Sequence, residues 1–157
     1  MRSKWMIATI LVWCAGPAGS VMAHGQDVAV VVNPENATSA LSLSDVRKLF
    51  AGEKRTWPTG PRVKLIVRMP GCQERATLLH LLGMARENEY SEYWKGRIFR
   101  GDADAEPAAV PSVGMQKEAI GAYPGAITFV AARDVKPGMK IVKVDGHLPD
   151  EPGYPLH

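Results

Sequence analysis

Cysteine is scarce: Cys14 and Cys72 are the only two in 157 residues, too few for the disulfide framework that holds a small secreted domain together. Charge of one sign is scarce too. With 19 Lys+Arg against 16 Asp+Glu the net charge is +3, a weak footprint for nucleic acid. No apolar run reaches the roughly 20 residues that cross a bilayer, which excludes a many-pass membrane protein. Catalytic signatures are absent: there is no Gly-x-Ser-x-Gly, no His-Glu-x-x-His and no Cys paired with a His by motif. Neither an internal repeat nor a linker divides the chain. What is present is 46% apolar and 22% charged residues, the balance of one soluble globular domain, with twelve Pro and fifteen Gly to supply turns.

The N-terminus has the order of an export signal. Arg2 and Lys4 precede the apolar run Trp5 to Ala15, then come Gly16, Pro17 and Gly19, then Val21-Met22-Ala23. Residues 1–23 are therefore expected to be a signal peptide cleaved after Ala23, giving a periplasmic or secreted protein with no stable membrane insertion afterwards. Trp13 before Cys14 argues against lipid attachment. Cleavage would remove two basic residues, no acid and one cysteine, leaving a charge of +1 and one thiol, Cys72. An exported chain with one thiol makes no internal disulfide, so its core must stabilise it.

Strands and helices then alternate. Val28 to Val32 is a β-branched run ended by Asn33-Pro34, a strand buried on both faces and so suggestive of a parallel sheet covered by helices. Ser42-Leu43-Ser44-Asp45 fits a capping box for a helix that carries Val46, Leu49 and Phe50 and stops at Gly52. Val63 to Arg68 is a second strand. A helix begins near Cys72 with Leu78, Leu81 and Leu82 as its stripe, and another spans Glu87 to about Ile98 with Tyr90, Tyr93, Trp94, Arg97 and Ile98 on one face. That aromatic face suits a core, or else stacking on a sugar or aromatic ligand. Gly101 to Pro111 reads as an exposed acidic loop. A helix from Ser112 to about Ala122 and strands at Ala126 to Val130 and Lys140 to Val144 complete an α/β domain over residues 24–148. Residues 149–157 hold three prolines and read as a loose tail.

Charge is unevenly placed. Asp45 to Arg75 contains eight basic residues (Arg47, Lys48, Lys54, Arg55, Arg62, Lys64, Arg68, Arg75) and three acids, +5, whereas the rest of the mature chain has nine basic against thirteen acidic residues, −4. Within that segment Arg68-Met69-Pro70-Gly71-Cys72-Gln73 is a strand end turning into a helix start. Backbone N–H groups, the positive end of a helix dipole and a guanidinium would meet there. Two readings stand: an anion cradle, or a capped helix beside a surface Arg with Glu74 occupying the donors. Cys72 is either packed and inert, or reactive at the helix start.

The run Thr38-Ser39-Ala40-Leu41-Ser42-Leu43-Ser44-Asp45-Val46-Arg47-Lys48-Leu49-Phe50-Ala51-Gly52, with Thr56-Trp57-Pro58, Val67-Arg68 and Gly71, Tyr93-Trp94 leading to Phe99-Arg100-Gly101, and Tyr123-Pro124-Gly125-Ala126-Ile127, resembles the phosphate-binding periplasmic component of ABC transporters in a short version. The resemblance implies one lobe of a type II periplasmic-binding-protein-like fold, mostly a parallel sheet flanked by helices. It also implies a non-enzymatic binding protein, without cofactor or metal, for phosphate or a similar small oxyanion. In full-length members it implies an Arg followed by a Gly-Ser-Gly-Thr turn around the phosphate. Here Arg68 and Gly71 match, but Cys72, Gln73 and Glu74 replace Ser, Gly and Thr, so hydroxyl donors are lost and an acid is gained. The implied cradle is Arg68, Gly71, Cys72 and Gln73, with Ser39 added from the Thr38 to Leu41 loop. One lobe leaves the ligand on an open face unless a second copy, as a homodimer, or an envelope protein covers it. The alternative is an interaction module that keeps the fold without the ligand. A further alternative is copper at His24, the expected first mature residue, if His80, His147 or His157 approached its amino group and imidazole. None of these has metal-ligand spacing, and a surface His at a free terminus is the plain reading.

Overall fold

Val28–Val32 form β1, with every residue buried. Val28, Val30 and Val32 enter one apolar cluster and Ala29 and Val31 the other, the two-residue alternation of a pleated strand. β1 lies in the middle of a six-stranded sheet seen in a computed structural model that describes residues 26–157. The other strands are β2 (Ala40–Leu41), β3 (Lys64–Arg68), β4 (Ala108–Val110), β5 (Ala126–Ala131) and β6 (Lys140–Val144), in the order β2-β6-β1-β5-β3-β4. Four helices flank them: α1 (Leu43–Phe50), α2 (Gln73–Leu82), α3 (Glu87–Phe99) and α4 (Val113–Ala122). The expected signal peptide, its cleavage site and His24 lie outside the described residues. No helix among those described is long and apolar enough to cross a membrane.

The sheet is mostly parallel, with one exception. β2 runs parallel to β6, and β3 parallel to β4 and β5, but β1 is antiparallel to both β5 and β6. Burial on both faces thus reported the two covering layers correctly and the direction of β1 wrongly. α1, α2 and α3 pack on the face of Leu65, Val67, Ile127 and Phe129, where Phe50 stacks on Phe129 at 4.1 Å. α4 covers Ile66, Ala126 and Val130 on the other face. Inside that layer Gln116 is fully buried, and its amide donates to Thr128 Oγ1 at 2.8 Å and to the Phe129 carbonyl at 2.7 Å.

Ser42 caps α1 as expected, its Oγ accepting from Asp45 N at 3.0 Å. Asp45 reaches back to the Ser42 hydroxyl, 2.8 Å away. That hydroxyl, helped by Lys54, holds the Asp45 carboxyl below the usual carboxylate range. The stability this contributes is present above the ordinary carboxylate pKa of about 4 and is lost as pH falls through the lowered value. Ser42→Ala is expected to cost about 1 kcal/mol at neutral pH, with the gap to wild type narrowing below about pH 4 in chemical denaturation run at both pH values.

Two expectations need correction. Gly101 to Pro111 is not wholly a loop, since Ala108–Val110 pairs with Ile66 to Arg68 as the edge strand β4; three residues after a proline carry too little periodicity to mark a strand. The segment 149–157 is not loose. Tyr154 and Leu156 are buried at 1% and 4% exposure, Val28 N donates to Leu156 O at 2.9 Å and the Tyr154 hydroxyl donates to Val28 O at 2.7 Å. Two successive turns, closed by Glu151 N donating to Leu148 O at 3.2 Å and Tyr154 N to Glu151 O at 3.1 Å, bring these two side chains against β1.

Candidate functional site

β3 ends at Arg68, where Met69 N still donates to Val110 O at 3.1 Å. Gly71 then takes φ +97°, a conformation costly for any residue with a Cβ, and Cys72 becomes the N-cap of α2. Its side chain accepts nothing from the helix. The thiol points back and donates to Met69 O at 3.4 Å, so the first N–H groups of α2 receive no side-chain cap from the residue placed to give one.

Arg68 is half-buried. Its Nε and Nη1 are buried and have no hydrogen-bond partner. A guanidinium is always charged and carries five N–H donors, and leaving such donors buried and unpaired is among the costlier defects of a fold. Arg68 shares the strand face of Ile66, toward α4, at the upper edge of the sheet.

The edge itself is a crevice. β3 and β5 pair only at Lys64 with Ala126 and Leu65 with Ile127; beyond Leu65 the ladder stops. From the carboxyl end of β3 the chain leaves toward β4, and from that of β5 toward β6, on opposite sides. Adjacent strands whose connections part in this way form a topological switch point, where open α/β sheets bind ligands. Arg68 and Ala131 end the two strands that flank it.

Gln73 and Glu74 span this gap. The Gln73 amide donates to Gln26 O and accepts from Arg133 Nη1 at 3.4 Å. Glu74, 5% exposed, turns its carboxylate to the end of β5 and accepts from Ala131 N at 3.4 Å. It does not fold back on the α2 N–H groups. The structure therefore brings Arg68, Gly71, Cys72 and Gln73 together in sequence and space. It does not bring Ser39. That residue lies before β2, its carbonyl accepting from Lys143 N at 3.0 Å, four strands from β3, about 19 Å at roughly 4.8 Å per strand. Ser39 is corrected out of the cradle: the loop before α1 joins the opposite edge.

Most of the +5 segment is spent on structure. Arg75, 7% exposed, makes a forked pair with Glu87 at 2.8–3.1 Å and lies 4.0 Å from the Tyr90 ring, tying α2 to α3. Burial pushes the Tyr90 phenol up to about 12. Arg55 and Arg62 share Asp104 at 3.4 and 3.2 Å, so the acidic loop folds back on the basic hairpin. Both line a cavity of about 430 Å³ with Lys54, Lys64 and Tyr123. Tyr90 and Trp94 are core residues, and Cys72 is a free, half-buried thiol. His80 is exposed, and among the described residues no group of three or more His, Cys, Asp or Glu could hold a metal ion.

No described protein family matches the sequence, and no curated protein does. Solved structures do match. An ABC-type phosphate transport receptor from Vibrio cholerae superimposes with TM-score 0.62 at 19% identity over 78% of this chain and 48% of that one. A candidate phosphate ABC transporter substrate-binding protein from Clostridium perfringens, solved with bound phosphate, gives 0.62 at 16% identity over 78% and 46%. A phosphate-binding protein from Stenotrophomonas maltophilia gives 0.57 at 18% over 80% and 40%. The chain has the fold of phosphate-transport substrate-binding proteins. It spans about half the length of the solved proteins it matches.

The quoted sequence fragments meet in space. Trp57 Nε1 donates to Gly125 O at 3.0 Å, joining the Trp-Pro turn to the Tyr-Pro-Gly turn. Tyr93 Oη donates to Ala51 O at 2.7 Å and Arg97 to Gly52 O at 3.0 Å, joining α3 to the end of α1. Sequence reasoning missed the part played by Arg133 and Gln26, for which no local pattern exists.

Proposed function

We propose that the protein is a non-enzymatic binding protein of the cell envelope, exported by residues 1–23, whose ligand is phosphate or a similar small oxyanion held in the crevice between β3 and β5. The observation that carries this reading is the pair of buried, unpartnered N–H donors of Arg68 at the switch point. An anion there would satisfy them and meet the uncapped start of α2, where the helix dipole adds to the attraction. The solved relatives are phosphate-transport proteins, and one holds phosphate, which supports the ligand class. The Cys72 thiol and the Gln73 amide are turned to Met69 O and Gln26 O, and the Glu74 carboxylate lies at the end of β5, so the anion would rest on Arg68 and the backbone of α2 alone and affinity is expected to be modest.

A second reading, an interaction module in which a second copy or an envelope protein covers this edge, draws on Met69, 49% exposed beside Arg68. Titration of the isotope-labelled protein with phosphate and with sulfate separates the two. Anion binding predicts shifts of the amides from Gly71 to Arg75 and of the Arg68 Nε–H, saturating below millimolar. No shift at about 10 mM of either ion would remove the oxyanion reading and leave the interaction module.

A further inference from the structure

We propose that the groove between α1, α2 and the docked segment 149–157 is a second ligand site, for a carboxylate carried on an apolar body. It stands apart from the Arg68 crevice and does not depend on it. The groove measures about 580 Å³, within the roughly 300–1,000 Å³ of small-molecule sites. Leu81 and Leu156 give it an apolar floor, and Arg47, His80 and His157 stand at its rim, while no Asp or Glu lines it.

The cation at the rim is uncommitted. Arg55, Arg62, Arg75, Arg86 and Arg100 are each held by a carboxylate. Arg47 has no such partner among the described residues and is exposed. It sits one turn from Ser44 on α1, both facing the groove. The nearby acids are already paired with residues of the lining: Asp145 accepts from Leu43 N at 3.0 Å, and Asp27 holds His157 Nδ1 at 2.8 Å. A planar guanidinium matches a carboxylate in a two-point fork, and the leucine floor stabilises whatever apolar body follows. Phosphate would waste the floor, and an uncharged hydrocarbon would leave Arg47 unanswered.

The test uses octanoate, 1-octanol and inorganic phosphate as probes on the intact protein. Octanoate is expected to shift the methyl resonances of Leu81 and Leu156 and the ring signals of His80, saturably, while 1-octanol and phosphate leave them in place. Arg47→Gln, on an exposed side chain, should weaken octanoate binding about tenfold, and Arg68→Ala should leave it unchanged. The proposal is overturned if about 10 mM octanoate moves none of these signals, if 1-octanol moves them equally, or if Arg47→Gln binds octanoate as wild type does.

Discussion

Gly125→Ala is expected to unfold the protein some 10–15 °C earlier than wild type in thermal scans, a loss of about 3 kcal/mol for a domain of this size. A Cβ at Gly125 would lie 1.9 Å from the Arg62 carbonyl oxygen, a backbone atom that no rotamer change can remove. The surrounding contacts forbid the hairpin from retreating cheaply. Gly125 O accepts both Trp57 Nε1 at 3.0 Å and Lys64 N at 2.9 Å, so moving the two segments apart breaks the start of the β3–β5 pairing and withdraws the buried Trp57. Gly52→Ala meets a side chain and not backbone, the edge of the buried Trp94 ring at 2.6 Å, at a φ of +71°, and should also be destabilising. Equal stability of Gly125→Ala and wild type would mean that the hairpin does not approach β5 this closely.

Tyr154→Ala should cost about 3–5 kcal/mol, because it empties a fully buried ring site against β1 and removes the hydrogen bond to Val28 O. Tyr154→Phe isolates the hydroxyl and should cost about 1 kcal/mol at neutral pH. Burial raises the Tyr154 phenol well above its ordinary value, so the stability tied to the neutral hydroxyl is complete below about pH 10 and is lost as pH rises further. The gap between wild type and Tyr154→Phe should therefore close in alkaline denaturation. A tail without a structural part predicts wild-type stability for both variants.

What the sequence made legible follows from how local each signal is. The limits of β1, the Ser42 cap, α4 after Ser112 and β6 are short-range patterns, and each lies where periodicity and capping put it. The docking of Tyr154 depends on β1, more than a hundred residues earlier in the chain, and three prolines looked like disorder because their partner was out of sight. The direction of β1 is likewise a property of its neighbours. At the site, Arg68, Gly71, Cys72 and Gln73 were found because a strand end, a glycine and a helix start are adjacent in sequence. Ser39 was misplaced because nothing local shows which edge β2 joins, and Arg133 was missed because its proximity to Gln73 is created by the sheet order. Trp57 and Gly125 were singled out as fragments of one family pattern; their hydrogen bond supplies the physical reason they occur together.

The most direct test of the anion site is calorimetric titration of phosphate into wild type, Arg68→Ala and Arg55→Ala. Arg55 is an exposed cation paired with Asp104, so its loss changes net charge as much as the loss of Arg68 while leaving the crevice intact. The account predicts heat of binding in wild type and Arg55→Ala and a loss of at least about 100-fold in affinity in Arg68→Ala, the worth of two charge-assisted hydrogen bonds. Undiminished phosphate binding by Arg68→Ala, or the same loss in both variants, would contradict it.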